Sequence, residues 1–132
     1  MVVDTSAIIA ILQDEPERRQ FNLAIESAER CAMSVATLVE TSIVIEARKG
    51  PQGAQYLDLF LATAGIELVT VDTEQAEIAR QGFRRFGKGR HPASLNYGDC
   101  FSYALAISRN EPLLFKGTDF GKTDVIALVP ET

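Results

Sequence analysis

Four short apolar runs recur along the chain: VV from Val2, CAMSV from Cys31, ELVTV from Glu67 and PLLF from Pro112. Each is separated from the next by segments whose apolar residues repeat at helical spacing. Strands that do not alternate apolar with polar residues are buried on both faces. Joined by helices, they give a parallel sheet with helices packed above and below. The expectation is an α/β fold: a single three-layer α/β/α domain over residues 1–132 with a mostly parallel central sheet. A chain of 132 residues, 46% hydrophobic and 23% charged, has enough material for one such core.

Local signals divide the chain further. Thr5 or Ser6 can cap a helix from Ala7 to Leu12, which the DEPE stretch ends, and a second helix covers Glu17 to Ala28. Ser34 offers a cap for VATLVETSIVIEARK, stopped by Gly50 and Pro51; Gln52 to Ala64 is helical and Gly65 closes it. Asp72 with Gln75 resembles a capping box for a helix to about Phe86. Gly87 to Asn96 reads as a loop, Tyr97 to Ser108 as a helix, and Val125 to Val129 as the last strand.

Several function classes are disfavoured at this level. No apolar run approaches the roughly 18 residues of a membrane helix, and no basic region precedes the apolar start, so a cytoplasmic protein without membrane association is expected. Cys31 and Cys100 lie in unlike settings and read as small buried hydrophobes, with neither a disulfide nor a zinc site indicated. A net charge of -5 argues against coating nucleic acid by charge alone. The bases are unevenly spread, however. Arg80, Arg84, Arg85, Lys88 and Arg90 crowd into one stretch with His91, the only histidine.

The acids are more informative. In an open parallel sheet, chemistry collects at the carboxyl ends of the strands. Asp4 ends the first strand, and Asp119 follows the fourth in the turn KGTDF, although Asp also serves at caps and turns. Glu40 has Ala36 and Thr37 one turn behind and Ile43 and Val44 one turn ahead, so it lacks a basic partner and faces inward. Asp99 stands in the first turn after NYG, where the helix dipole alone favours an acid. Four acids on four elements, without clustered His and Cys, suit Mg²⁺ or Mn²⁺ better than zinc.

In context, these segments resemble the PIN-domain ribonucleases, specifically the VapC-type toxins of bacterial toxin-antitoxin pairs. MVVDTSAIIAIL, MSVATLVETSIV with its inward Glu, LNYGDCFSYALA and PLLFKGTDFGKTDV carry the resemblance, which spans nearly the whole chain. It implies a PIN-like fold with Asp4, Glu40, Asp99 and Asp119 as the catalytic acids, holding Mg²⁺ or Mn²⁺. Thr5, Ser6 and Thr118 would orient the acids they adjoin. Asn96 also reads as a helix cap, and Asp124 also reads as an exposed turn residue. The resemblance further implies cleavage of RNA to a 5′-phosphate and a 3′-hydroxyl, a cognate antitoxin and a homodimer.

A single histidine independently disfavours the metal-free route that uses a histidine pair. The basic residues Arg84, Arg85, Lys88 and Arg90 are candidates for RNA contact, while Phe83 and Phe86 either stack an unpaired base or pack in the core. Leu57, Phe60 and Leu61 could contact a protein partner, or be ordinary core. Two rivals stay open. A receiver-type Mg²⁺-binding phosphoacceptor would use Lys116 and Thr118 with Asp72 as acceptor, and a catalytically silent PIN-like binding module would keep the fold alone.

Overall fold

Four parallel strands form the sheet: β1 (Val2–Val3), β2 (Cys31–Ser34), β3 (Ile66–Val69) and β4 (Leu113–Leu114), in the order β3-β2-β1-β4. The computed structural model describes residues 1–128. Six helices accompany the strands: α1 (Thr5–Leu12), α2 (Arg18–Ser27), α3 (Val35–Lys49), α4 (Pro51–Ala64), α5 (Thr73–Phe86) and α6 (Asp99–Arg109). A short 3-10 turn spans Phe120–Lys122.

The pleat sends neighbouring strand residues to opposite sides, and both sides are covered. Val3, Met33 and Leu114 pack with Ala7, Ile8, Ile45 and Leu57, whereas Val2, Ala32 and Leu113 pack with Phe86, Tyr103 and Leu105. This explains why β1, β2 and β4 read as unbroken apolar runs; β3 departs from the expectation, because it lies at the sheet edge and leaves Glu67 and Leu68 exposed. Each large aliphatic buried in this way contributes roughly 1.5–3 kcal/mol before the cost of ordering it. The three-layer parallel arrangement is as expected, and Cys31 and Cys100 are buried free thiols. No helix among the described residues is long and apolar enough to cross a membrane.

Several boundaries differ from the sequence reading, β3 ending at Val69 and not Val71 among them. Asp4, not Thr5 or Ser6, caps α1: its backbone is extended and its carboxylate accepts from the Ser6 amide. Helix α6 starts at Asp99, because Asn96 and Asp99 hydrogen-bond each other across the preceding turn. The final strand reduces to one parallel bridge between Ala127 and Leu113, and Val129 lies outside the described residues. Thr123 bonds locally to Phe120 O and to the Val125 amide, which holds the approach in bends and leaves little length to pair.

Helices α3 and α4 pack against each other, and Gly53 lies tight against the backbone of α3. A Cβ built there would lie 2.8 Å from the backbone oxygen of Ile45, a group that cannot rotate away. Gly53→Ala should therefore lower the melting temperature even though Ala favours a helix by about 1 kcal/mol, since overpacking costs about 1–3 kcal/mol. A thermal melt that rises would contradict this packing.

Candidate active site

The strand order reverses beside β1, so the crevice past the carboxyl ends of β1 and β4 is the switch point of the sheet. Asp4 occupies it. Its side chain is 3% exposed. Oδ2 accepts from the Ser6 amide at 3.0 Å and the Ser6 hydroxyl at 2.8 Å, and Oδ1 accepts from the Ser102 hydroxyl at 2.6 Å. The Ser6 hydroxyl accepts in turn from the Lys116 amide, at 2.9 Å. Among the described residues no cationic side chain pairs with Asp4.

Glu40 approaches from α3, half-buried. Its Oε1 accepts from the Thr5 hydroxyl at 2.7 Å. Burial pushes its pKa up, the Thr5 bond opposes this, and the charge of Asp4 adds to the rise. Gly98 lies flat against this carboxylate, and any Cβ there would overlap its oxygens. Asp99 enters from α6, with Oδ2 accepting from the Asn96 amide at 3.0 Å. Burial lifts its pKa to about 6 against the Asn96 bond, helped by the charges of Asp4, Glu40 and Asp119.

Asp4, Glu40 and Asp99 line one pocket of about 280 Å³, together with Thr5 and Ser6. Asp119 is exposed, just ahead of the 3-10 turn, and is close enough to act on Asp99 electrostatically. Thr118 is exposed beside it. The carboxylates are gathered but not closed around a point: among the described residues, no group of three Asp, Glu, His or Cys side chains is arranged to hold an ion. Asp4, Glu40 and Asp99 are each held by their own donors, and like charges resist closer approach.

Other candidates fall elsewhere. Asp124 is tied to the Tyr103 hydroxyl at 2.8 Å and Arg85 at 3.3 Å, which fastens the final loop to α5 and α6. Arg85 also lies over the Phe86 ring at 4.7 Å, and Phe86 is buried. Arg84 sits 3.9 Å from Glu77, whereas Lys88 and Arg90 have no ion-pair partner among the described residues. Leu57 and Leu61 are core, and the apolar side chains that α4 exposes are Tyr56 and Leu59.

Sequence reasoning did not find Ser102, Gly98 or Arg48, and it named Lys116 only for the receiver reading. Ser102 follows Asp99 by three residues, a spacing that places both on one helix face, but a serine there carries no distinct signal. Arg48 and Lys116 also line the pocket, and Glu15 and Glu17 hold Lys116 Nζ at 2.6 and 3.2 Å. A larger cavity of about 900 Å³ lies around Met1, Glu111 and Pro112, at the amino ends of the strands. Size does not make it the better candidate, because the converging carboxylates are at the other end.

Fold and pocket define an open α/β protein with an acidic crevice at its switch point. The family model for the PIN domain matches residues 1–126. A ribonuclease VapC of Mycolicibacterium smegmatis is 54% identical over 97% of this chain and 99% of its own. Ribonuclease VapC30 of Mycobacterium tuberculosis is 53% identical over 95% of each chain. Among solved structures, the crystal structure of Mycobacterium tuberculosis VapC20, a sarcin-ricin loop cleaving toxin, superposes with a TM-score of 0.79 at 17% identity, covering 98% of both chains. A toxin-antitoxin complex from Klebsiella pneumoniae superposes at 0.73 and 19% identity, over 98% of this chain and 97% of that one. The chain belongs to the PIN-domain family, among its VapC ribonucleases. The receiver reading falls with this assignment, and Asp72, its required acceptor, is the cap of α5, bonded to the Gln75 amide at 2.8 Å.

The raised pKa of Asp99 makes stability depend on pH. Its ordinary value is 3.8 and its folded value about 6, so between these the folded chain keeps a proton that the unfolded chain has released. Stability therefore falls as pH rises through that window. In chelator-treated protein, the melting temperature of the wild type should drop relative to Asp99→Asn between about pH 4 and 6. Parallel melting profiles for the two proteins would exclude this coupling.

Proposed function

We propose that this VapC ribonuclease is a divalent-metal-dependent endonuclease, the toxin of a toxin-antitoxin pair, with Asp4, Glu40, Asp99 and Asp119 as its catalytic acids. The observation that carries the reading is the convergence of Asp4, Glu40 and Asp99 from three elements on one pocket without a cationic partner among the described residues.

The donor set fits Mg²⁺ or Mn²⁺, being all oxygen and hard, with no histidine among the pocket residues. Asp4, Glu40 and Asp99 would hold the ion, with Asp119 reaching in from the rim. Bound there, a divalent ion supplies the positive charge that lets an anionic phosphodiester enter an acidic crevice and makes water a stronger nucleophile. The chain itself does the positioning. Ser102 and Ser6 fix both oxygens of Asp4, Thr5 fixes one oxygen of Glu40, and the Asn96 amide fixes one oxygen of Asp99. Glu40 Oε2 accepts no hydrogen bond from the described residues and is the atom we assign to take the proton of the attacking water.

RNA is the substrate in this reading, and Arg84, Lys88 and Arg90 are its candidate backbone contacts, Arg85 being held by Asp124. A cognate antitoxin and a second copy of the chain are the protein partners. Val39 and Ile43 on α3, and Tyr56 and Leu59 on α4, are exposed large apolar side chains that support a protein contact.

Purified protein should cut single-stranded RNA with Mg²⁺ or Mn²⁺, stop with EDTA, and lose on the order of a hundredfold or more in rate as Asp4→Asn or Glu40→Gln. Cleavage that survives chelation and Asp4→Asn would remove the metal mechanism. Gly98→Ala gives a separate check. The displaced group is the end of a flexible side chain, so the protein should melt near the wild-type temperature while its activity collapses.

A further inference from the structure

Residues next to Asp99 also line a second cavity. Between α5 and α6 lies a mainly apolar groove of about 630 Å³, walled by Phe83, Tyr97 and Phe101 with Ala79 beneath and Arg80 and Arg84 among its lining. That volume is in the range of roughly 300–1,000 Å³ typical of small-ligand sites. Tyr97 is 81% exposed, unusual for a large ring, yet it is not loose. Its centroid lies 5.0 Å from that of Phe101 in an edge-to-face pair at 79°, which pins the ring while most of it stays open.

The charge around this groove opposes that of the chain. The protein carries a net -5, but Arg90 lies 5.9 Å from the centroid of Phe83, so three guanidinium groups, of Arg80, Arg84 and Arg90, surround the aromatic walls. Arg80 is engaged by Glu77 at 3.0 Å and Arg84 only at 3.9 Å, whereas Arg90 pairs with no acid among the described residues. An apolar protein segment would use the rings and leave the arginines unanswered. A nucleotide answers both, with a planar base for the rings and phosphate for the guanidinium groups. Location adds to this, since Tyr97 precedes Asp99 by two residues and Gly98 between them touches Glu40.

We propose that the α5–α6 groove is a nucleobase subsite, which stacks an unpaired base on Tyr97 next to the phosphodiester held at the carboxylates, with Arg84 and Arg90 on neighbouring phosphates. The inference rests on the ribonuclease reading and adds a substrate feature to it: the base beside the cut must be free of pairing. Phe83 enters as a wall of the groove, and Phe86, buried, takes no part.

The test uses full-length Asp4→Asn protein with Mg²⁺, to block turnover, and short single-stranded RNAs carrying 2-aminopurine at one position each. Stacking on Tyr97 should quench the probe at one position. Tyr97→Ala in the same background should abolish that quench and weaken binding on the order of tenfold, while Tyr97→Phe keeps both. Phe101→Leu, which unpins the ring, should reduce the quench as a second reading of the same site. Unchanged quench and affinity in Tyr97→Ala would overturn the subsite. So would a change of assembly state in Tyr97→Ala without RNA, which would give the groove to a second copy of the chain. Failure of the ribonuclease reading shows up separately, as RNA left intact by the unaltered protein with metal.

Discussion

The structure turns on a buried carboxylate that has no counter-charge among the described residues. Left unsatisfied, ionised Asp4 would cost several kcal/mol or more, enough to compete with the whole stability of a domain. Three donors hold it: the Ser6 amide and hydroxyl and the Ser102 hydroxyl. Because Ser6 also takes the Lys116 amide and Ser102 meets the Thr37 hydroxyl, this one group connects β1, α1, α3, α6 and the segment after β4. Capping a helix and furnishing a reactive oxygen are often treated as rival explanations of an aspartate. Here they are one arrangement, since the cap bond is what aims the carboxylate.

Around Asp4 the protein accumulates negative charge instead of cancelling it. Burial and mutual repulsion raise the proton affinity of Glu40 and Asp99, which is a cost borne by the folded state. Of the two cations lining the pocket, Lys116 is turned to Glu15 and Glu17, and those hydrogen bonds raise its own pKa. A chain selected for stability alone would set such a lysine among the carboxylates. Concentrated strain of this kind is characteristic of functional sites, where unfavourable electrostatics are kept for the sake of binding.

Glu40 illustrates what could be read without coordinates. Its lack of a basic neighbour one turn away exposed it as an inward residue, and it does face the pocket, held by Thr5. Asp99 was harder, because a first-turn acid is common, and only the reciprocal bonds with Asn96 show why the helix starts there. Asp124 looked similar in sequence and is a structural tie to Tyr103 and Arg85. The basic stretch divides in the same way: Arg85 is spent on Asp124 and Phe86, and Arg90 stands by Phe83.

Sequence alone determined the layers, the parallel sheet and the helices, because burial on both faces and helical spacing act locally and leave periodic marks. It also singled out four acids, of which Asp4, Glu40 and Asp99 come to line one pocket. Tertiary structure decided what each acid touches. Ser102 reaches Asp4 across 98 positions of chain and Gly98 makes room for Glu40 across 58, and the α5–α6 groove exists only once two helices pack. Contacts between distant elements depend on packing geometry, and no periodicity in the chain encodes them.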